Sequence, residues 1–143
     1  MKEDLRLFIV LSRAYKFIME HALRDMRKHG LNPTEFMVLE LLYHKGPTPL
    51  QQIGDRILLA SGSMTYVVDR LVQKGYLKRQ HCEKDRRVIY GVLTEKGKEL
   101  FDEIFPQHEE AIRNALAGLD EEEKAQAIDL LKRLGLEAQK RLT

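Results

Sequence analysis

The sequence predicts a mainly helical domain that carries one small β-hairpin. Two observations lead to that class. Apolar residues recur at helical spacing over long stretches bounded by capping and breaking residues. Two short strand-like runs, Tyr76 to Gln80 and Val88 to Leu93, flank a charged tip, Glu83-Lys84-Asp85-Arg86-Arg87. A third observation bears on what the fold is for. The stretch before the hairpin reads as a helix of small polar and hydroxylated residues (Ser61, Ser63, Thr65, Tyr66, Asp69, Arg70), ended by Lys74-Gly75. A helix that offers hydrogen-bonding side chains without bulk suits a major groove, and a basic hairpin behind it can reach the adjacent minor groove.

Each element has a local cause. The first helix is expected over residues 4–28, with Leu5, Phe8, Ile9, Ser12, Tyr15, Lys16, Met19, Ala22, Leu23 and Met26 along one face and His29-Gly30 ending it. Phe17 and Ile18 widen the face, which implies packing on more than one partner. Asn32-Pro33-Thr34-Glu35 opens the second helix, with Asn32 as N-cap, Pro33 in the first turn and Glu35 closing a capping box. Phe36, Val38, Leu39, Leu41 and Leu42 make this helix apolar nearly all round, so it belongs in the core. It stops at Lys45-Gly46-Pro47. Thr48-Pro49-Leu50-Gln51 reads as the same opening device, starting a short third helix with Leu50, Ile53 and Ile57 inward.

Leu58 to Ser61 turn the chain into the fourth helix, capped by Ser61 or Ser63, with Val67, Val68, Leu71 and Val72 on its buried side. Two helices joined by a tight turn, the second polar-faced, make a helix-turn-helix. After the hairpin, Thr94 caps a fifth helix bearing Leu100, Phe101, Ile104, Phe105, Ala111, Ile112, Ala115 and Leu116, with a kink expected at Pro106. Asp120 to Glu123 start a sixth, which carries Ala125, Ile128, Leu131, Leu134, Ala138 and Leu142. The terminal helices hold more apolar surface than the central elements can cover, which predicts a homodimer.

Composition sets outer limits. A chain of 143 residues, 43% hydrophobic and 32% charged, can bury a core without disulfides or metal. The lone cysteine, Cys82, rules out an intramolecular disulfide and fits a reducing cytoplasm. No apolar run is long enough to span a membrane, and Met1-Lys2-Glu3-Asp4 is too acidic for a signal peptide, so a cytoplasmic location is expected, at the nucleoid when DNA is bound. Net charge is only +2, but residues 61–98 carry nine Lys/Arg against four Asp/Glu while residues 99–143 carry six against eleven. The positive charge thus gathers on the candidate helix and hairpin, where phosphates would need it.

Other function classes are weaker. The chain shows no nucleophile with a base, no metal constellation and no phosphate-cradling loop, so it is not expected to be an enzyme or to hold a cofactor. Cys82 beside His81 allows a redox-sensing role, but the remaining histidines show no ligand spacing with it, and no metal site is expected. A module of this shape that binds protein instead of DNA is the more serious alternative. The cluster Arg70, Lys78, Arg79, Arg86 and Arg87 argues against it.

The order of elements, with Asp85-Arg86-Arg87 and Val92-Leu93-Thr94-Glu95-Lys96-Gly97, resembles the MarR family of winged-helix transcriptional regulators over essentially the whole chain. Leu31-Asn32-Pro33-Thr34-Glu35-Phe36 and Leu59-Ala60-Ser61-Gly62-Ser63 are similar to the branch that responds to hydroquinones and catechols, the MhqR-like branch. The resemblance implies that Ser61, Ser63, Met64, Thr65, Tyr66 and Arg70 lie at or near the major groove of double-stranded DNA. It implies that Arg87, with Arg86 beside it, occupies the wing tip at the minor groove, where guanidinium suits the concentrated negative potential. Asp85 is expected to orient those arginines, since a carboxylate near phosphate is repelled.

In the peroxide-sensing members of that family the reactive cysteine is in the first helix, where this chain has none. A pocket for a small aromatic ligand is expected where the first two helices approach the fifth and the dimer partner, drawing on Phe8, Tyr15, Met19, His21, Tyr43 and His44. The expectation is a single domain over residues 1–143, with a DNA-binding core at 32–94 and dimerisation helices at 4–29 and 95–142. Its function is expected to be that of a dimeric repressor on an inverted-repeat operator, released by a phenolic or quinone-like compound.

Overall fold

A computed structural model describes residues 2–57 and 64–143. Six helices and three short strands follow in the order α1 (Lys2–Lys28), α2 (Pro33–Lys45), β1 (Thr48–Pro49), α3 (Leu50–Arg56), α4 (Met64–Gln73), β2 (Leu77–His81), β3 (Ile89–Leu93), α5 (Glu95–Ala115) and α6 (Glu121–Lys140). The turn expected at Leu58 to Ser61, and the capping role of Ser61 or Ser63, lie outside the described residues.

Helix α2 is the centre of the core. Its start is the expected capping box: the Asn32 side chain accepts from the Glu35 backbone N at 2.8 Å, and Glu35 Oε1 accepts from the Asn32 backbone N at 3.0 Å. Phe36, Val38 and Leu39 are fully buried because α1, α4, α5 and β3 pack around this helix. Side chains of this size each contribute about 1.5–3 kcal/mol when removed from water. The Phe36 and Phe101 rings, 5.1 Å apart, join α2 to α5.

The sheet corrects the sequence reading. A third strand is present, and the order is β1-β3-β2, antiparallel throughout. Thr48 does not cap α3. It is fully buried, lies opposite Gly91 in the sheet, and turns its hydroxyl back to donate to the Gly46 carbonyl at 2.8 Å. Pro49 takes the N-cap position with no side-chain cap. A proline next to a helix start and a proline in an edge strand use the same residue pattern, and here pairing with β3 prevails.

Helix α4 buries Val67, Val68 and Leu71, while Val72 is half-buried. It ends in a Schellman motif: the Tyr76 N–H donates to the Leu71 carbonyl and the Gly75 N–H to that of Val72, both at 3.0 Å. That closure needs a left-handed residue, and Gly75 supplies it at φ 83°. Helix α5 begins at Thr94, whose hydroxyl accepts from the Gly97 N–H at 3.0 Å and donates to the Gly75 carbonyl at 2.6 Å. It continues through Pro106 to Ala115 and packs along α1. Their crossing holds a buried polar node, with His108 Nδ1 2.9 Å and His29 Nε2 3.3 Å from the two oxygens of Asp25.

The two ends of the chain remain uncovered. Helix α6 has the expected capping box at Asp120 and Glu123, yet none of its residues is buried. The first half of α1 likewise exposes Leu5, Leu7, Phe8, Ile9, Val10 and Leu11. Between them runs an apolar groove of about 1060 Å³, walled by Leu7, Val10, Leu11, Leu130, Leu131 and Leu134. Among the described residues no helix is long and apolar enough to cross a membrane.

Candidate nucleic-acid interface

The exposed face of α4 and the hairpin form one side of the molecule, tied by an ion pair between Asp69 on α4 and Arg79 on β2. Thr65, Tyr66 and Asp69 are exposed on that face, and Met64 is half-buried against the core. Arg70 is half-buried. Its Nε lies 3.4 Å from Glu35 Oε2, and its guanidinium carbon is 5.9 Å from the centre of the Tyr66 ring. Ser61 and Ser63, assigned to the same surface from sequence, lie outside the described residues.

The wing is built from a strand with one inward residue. Leu77 is buried, and Lys78, Arg79, Gln80 and His81 are exposed. The hairpin closes where the Cys82 N–H donates to the Val88 carbonyl and the Val88 N–H to that of Asp85, both at 3.0 Å. At the tip, Asp85 Oδ1 accepts from the Arg87 backbone N at 3.1 Å and from its Nε at 3.2 Å, and Oδ2 accepts from Nη2 at 3.4 Å. The Arg87 side chain is otherwise 91% exposed. Those Arg87 side-chain and backbone bonds hold the Asp85 carboxyl below its ordinary range. Arg86 is also exposed, and among the described residues no carboxylate pairs with it. Two guanidinium groups therefore project from a tip at which Asp85 is occupied with positioning Arg87.

Sequence reasoning missed the support behind this face. Glu35 is only 2% exposed, yet its Oε2 accepts from Lys74 Nζ at 2.9 Å as well as from Arg70. Burial pushes its carboxyl up, but the Asn32 backbone bond and the Lys74 and Arg70 cations outweigh this, leaving it below its ordinary value of 4.5. Capping had marked Glu35 as a local residue. Nothing in the local sequence indicates partners 35 and 39 positions away.

The residues expected to line a ligand pocket are not gathered within the single chain. Phe8 and Tyr15 are 69% and 63% exposed on the uncovered half of α1, His21 is exposed further along, and Met19 packs against the core. Tyr43 and His44 do meet, in an aromatic group with Phe105: ring centres are 5.3 Å apart for Tyr43–His44 and 4.7 Å for His44–Phe105. The Tyr43 hydroxyl donates to Asp102 at 2.6 Å, which raises the phenol above its usual 10.0. A cleft of about 550 Å³ opens beside this group, lined by Glu40, Phe105, His108, Glu109 and Ile112 among others. His44 lines a smaller cavity of about 390 Å³ with Met37, Leu41 and Arg56. Cys82 is partly exposed and free. Among the described residues no group of three or more His, Cys, Asp or Glu side chains is placed to hold a metal ion.

A short helix followed by an amphipathic second one with an exposed polar face, and then by a basic hairpin, defines a winged helix-turn-helix. The chain belongs to the MarR family of DNA-binding transcriptional regulators, whose pattern matches residues 31–89. It is similar to the HTH-type transcriptional regulator MhqR of Bacillus subtilis (strain 168), at 57% identity over 96% of this chain and 94% of that protein. Among solved structures, the YusO protein from Bacillus subtilis is 30% identical, covers 94% of this chain and 96% of its own, and superposes with a TM-score of 0.64. Sco3205, a MarR family transcriptional regulator from Streptomyces coelicolor solved in complex with DNA, shares the fold. Its TM-score is 0.83 at 19% identity, over 96% of this chain and 88% of that one.

Proposed function

We propose that the chain is a homodimeric repressor of an inverted-repeat operator, released from DNA by a small phenolic or quinone-like compound. The observation that carries the DNA assignment is the joining, on one side, of the exposed polar face of α4 to a wing tip presenting Arg86 and Arg87. Thr65 and Tyr66 with Met64, Arg70, Ser61 and Ser63 would meet the major groove, and Arg87 would enter the minor groove with Asp85 as its orienting partner. In this reading residues 32–94 are the DNA-binding unit and residues 4–29 and 95–142 are the dimerisation helices.

The uncovered α1 and α6 surfaces support the second copy. A helix with an apolar stripe and no buried residue is stable only when something else covers the stripe. In a two-fold dimer each protomer would place its α6 against the exposed half of the partner's α1, and the two α4 helices would sit about 34 Å apart. The aromatic group of Tyr43, His44 and Phe105 supports an aromatic ligand, as does the resemblance of residues 31–36 and 59–63 to the hydroquinone- and catechol-responsive branch. Phe8, Tyr15, Met19 and His21 would join it only through the partner. Such a ligand must favour one separation of the α4 helices over another, or it releases nothing.

The test is fluorescence anisotropy with operator DNA taken from a random pool. Arg87→Ala should weaken binding on all sequences and reduce the slope of log affinity against log salt by about one. Unchanged affinity at fixed salt would overturn the wing assignment. A panel of phenols and quinones titrated into the complex should include at least one compound that releases DNA.

A further inference from the structure

We infer that Glu35 is a positioning residue for DNA recognition, acting through Arg70. The inference rests on the DNA-binding reading above and deepens it. Glu35 is fixed at the start of α2 by the capping box, so its carboxylate cannot follow the recognition helix if that helix shifts. Its second oxygen faces two cations, Arg70 on α4 at 3.4 Å and Lys74 just past the end of that helix at 2.9 Å, one helical turn apart. One buried negative charge thus meets two positive charges that are themselves partly open to solvent.

The geometry at Arg70 divides its donors. Nε points inward to Glu35, and the Tyr66 side chain lies against the guanidinium and helps to hold its charge. Tyr66, one turn earlier, lies beside the guanidinium with its ring 61% exposed. The planar fork is therefore held by a carboxylate on one side and by Tyr66 on another, while the side chain stays partly open to solvent. Guanidinium reads bases or phosphates through paired donors in fixed directions, so an orienting contact at Nε governs what the outer edge can reach. Lys74, a point charge on a flexible stem, neutralises Glu35 without imposing a direction of its own.

A merely structural Glu35 would contribute only to stability. A positioning Glu35 makes a different forecast, read on the intact protein. Glu35→Gln keeps the side-chain length and the capping box, which accepts glutamine, but removes the charge that holds Arg70. Its folding is checked by circular dichroism and thermal unfolding. The ratio of operator to non-operator affinity should fall by about 5- to 20-fold. Affinity for non-operator DNA should hold or rise, because a buried negative charge has been removed beneath the phosphate-facing helix. Glu35→Asp, which keeps the charge but withdraws it by one methylene, should fall between wild type and Glu35→Gln.

Arg70→Lys should lose the same discrimination, and adding Glu35→Gln to it should cost nothing further. If Glu35→Gln leaves the affinity ratio unchanged, or if the two losses simply add, the positioning role is refuted while the DNA-binding reading stands. If wild type selects no operator at all, that reading fails and this one with it.

Discussion

Gly97→Ala is the most informative single substitution, because helix propensity and packing forecast opposite signs for it. Gly97 sits three residues into α5, where alanine is normally preferred by up to about 1 kcal/mol. A Cβ built at this position would lie 2.4 Å from the Tyr76 carbonyl oxygen and 2.8 Å from Leu93 Cδ1. The first obstacle is backbone and cannot swing aside. That same carbonyl accepts from the Thr94 N–H at 3.0 Å, and Thr94 caps α5 through the Gly97 N–H at 3.0 Å, so relieving the clash strains both bonds. Overpacking costs about 1–3 kcal/mol, and a weakened cap adds about 1 kcal/mol. Against the propensity gain, the net is a loss of about 1–3 kcal/mol.

For a chain of this length that corresponds to a fall of roughly 3–12 °C in Tm, measured by calorimetry at one fixed protein concentration. Gly118 provides the internal control. It lies outside the helices, its φ is not positive, and a Cβ there would meet nothing within 4 Å. Gly118→Ala should be neutral or raise stability by up to about 1 kcal/mol through the unfolded chain. A Gly97→Ala protein as stable as wild type would refute the close approach of α5 to the wing and the explanation it gives for the glycine in Thr94-Glu95-Lys96-Gly97.

Three further outcomes are expected. Asp85→Ala should weaken DNA binding without moving Tm, because the Asp85 side chain bonds Arg87 at an exposed tip while its backbone bond to Val88 is kept; a loss of stability instead would make the side chain a structural part of the hairpin. Leu134→Glu should dissociate the dimer in sedimentation equilibrium, raising its Kd by about 100-fold or more, since an unpaired carboxylate pressed into an apolar contact costs about 3 kcal/mol. An unchanged mass would remove the α1–α6 groove from the interface. Glu35 has a folded-state pKa below its ordinary 4.5, so its contribution to stability is fully present above that value and is lost as pH falls through the lower one. Acid titration of Glu35→Gln should therefore lose less stability below pH 4.5 than wild type, and parallel curves would contradict an ionised Glu35 held by Lys74 and Arg70.

How much could be read in advance depended on the reach of each interaction. Caps act within four residues, so Asn32 with Glu35, Thr94 with Gly97 and Asp120 with Glu123 were legible, as were the ends of α2 and α4 at glycine. The hairpin and its charged tip were visible in composition and spacing. The strand β1 was not, because two residues carry no periodicity and Thr-Pro serves helix starts as well as sheet edges. Arg70 was legible as an outward basic residue but not as the partner of Glu35, and Asp25 could not be matched to His108, 83 positions away. The pocket residues were chosen for aromatic character. Whether Phe8 and Tyr15 face a pocket depends on a surface that a single chain does not contain.

Whether two α4 helices and two wings of a symmetric dimer read DNA together is decided by selecting binding sequences from a random duplex pool. A dimer of this kind should enrich an inverted repeat whose half-sites are about one helical turn apart. Arg87→Ala should recover the same repeat with weaker affinity. Recovery of no repeat, or of a single unpaired half-site by a protein that remains folded, would contradict joint reading by a dimer.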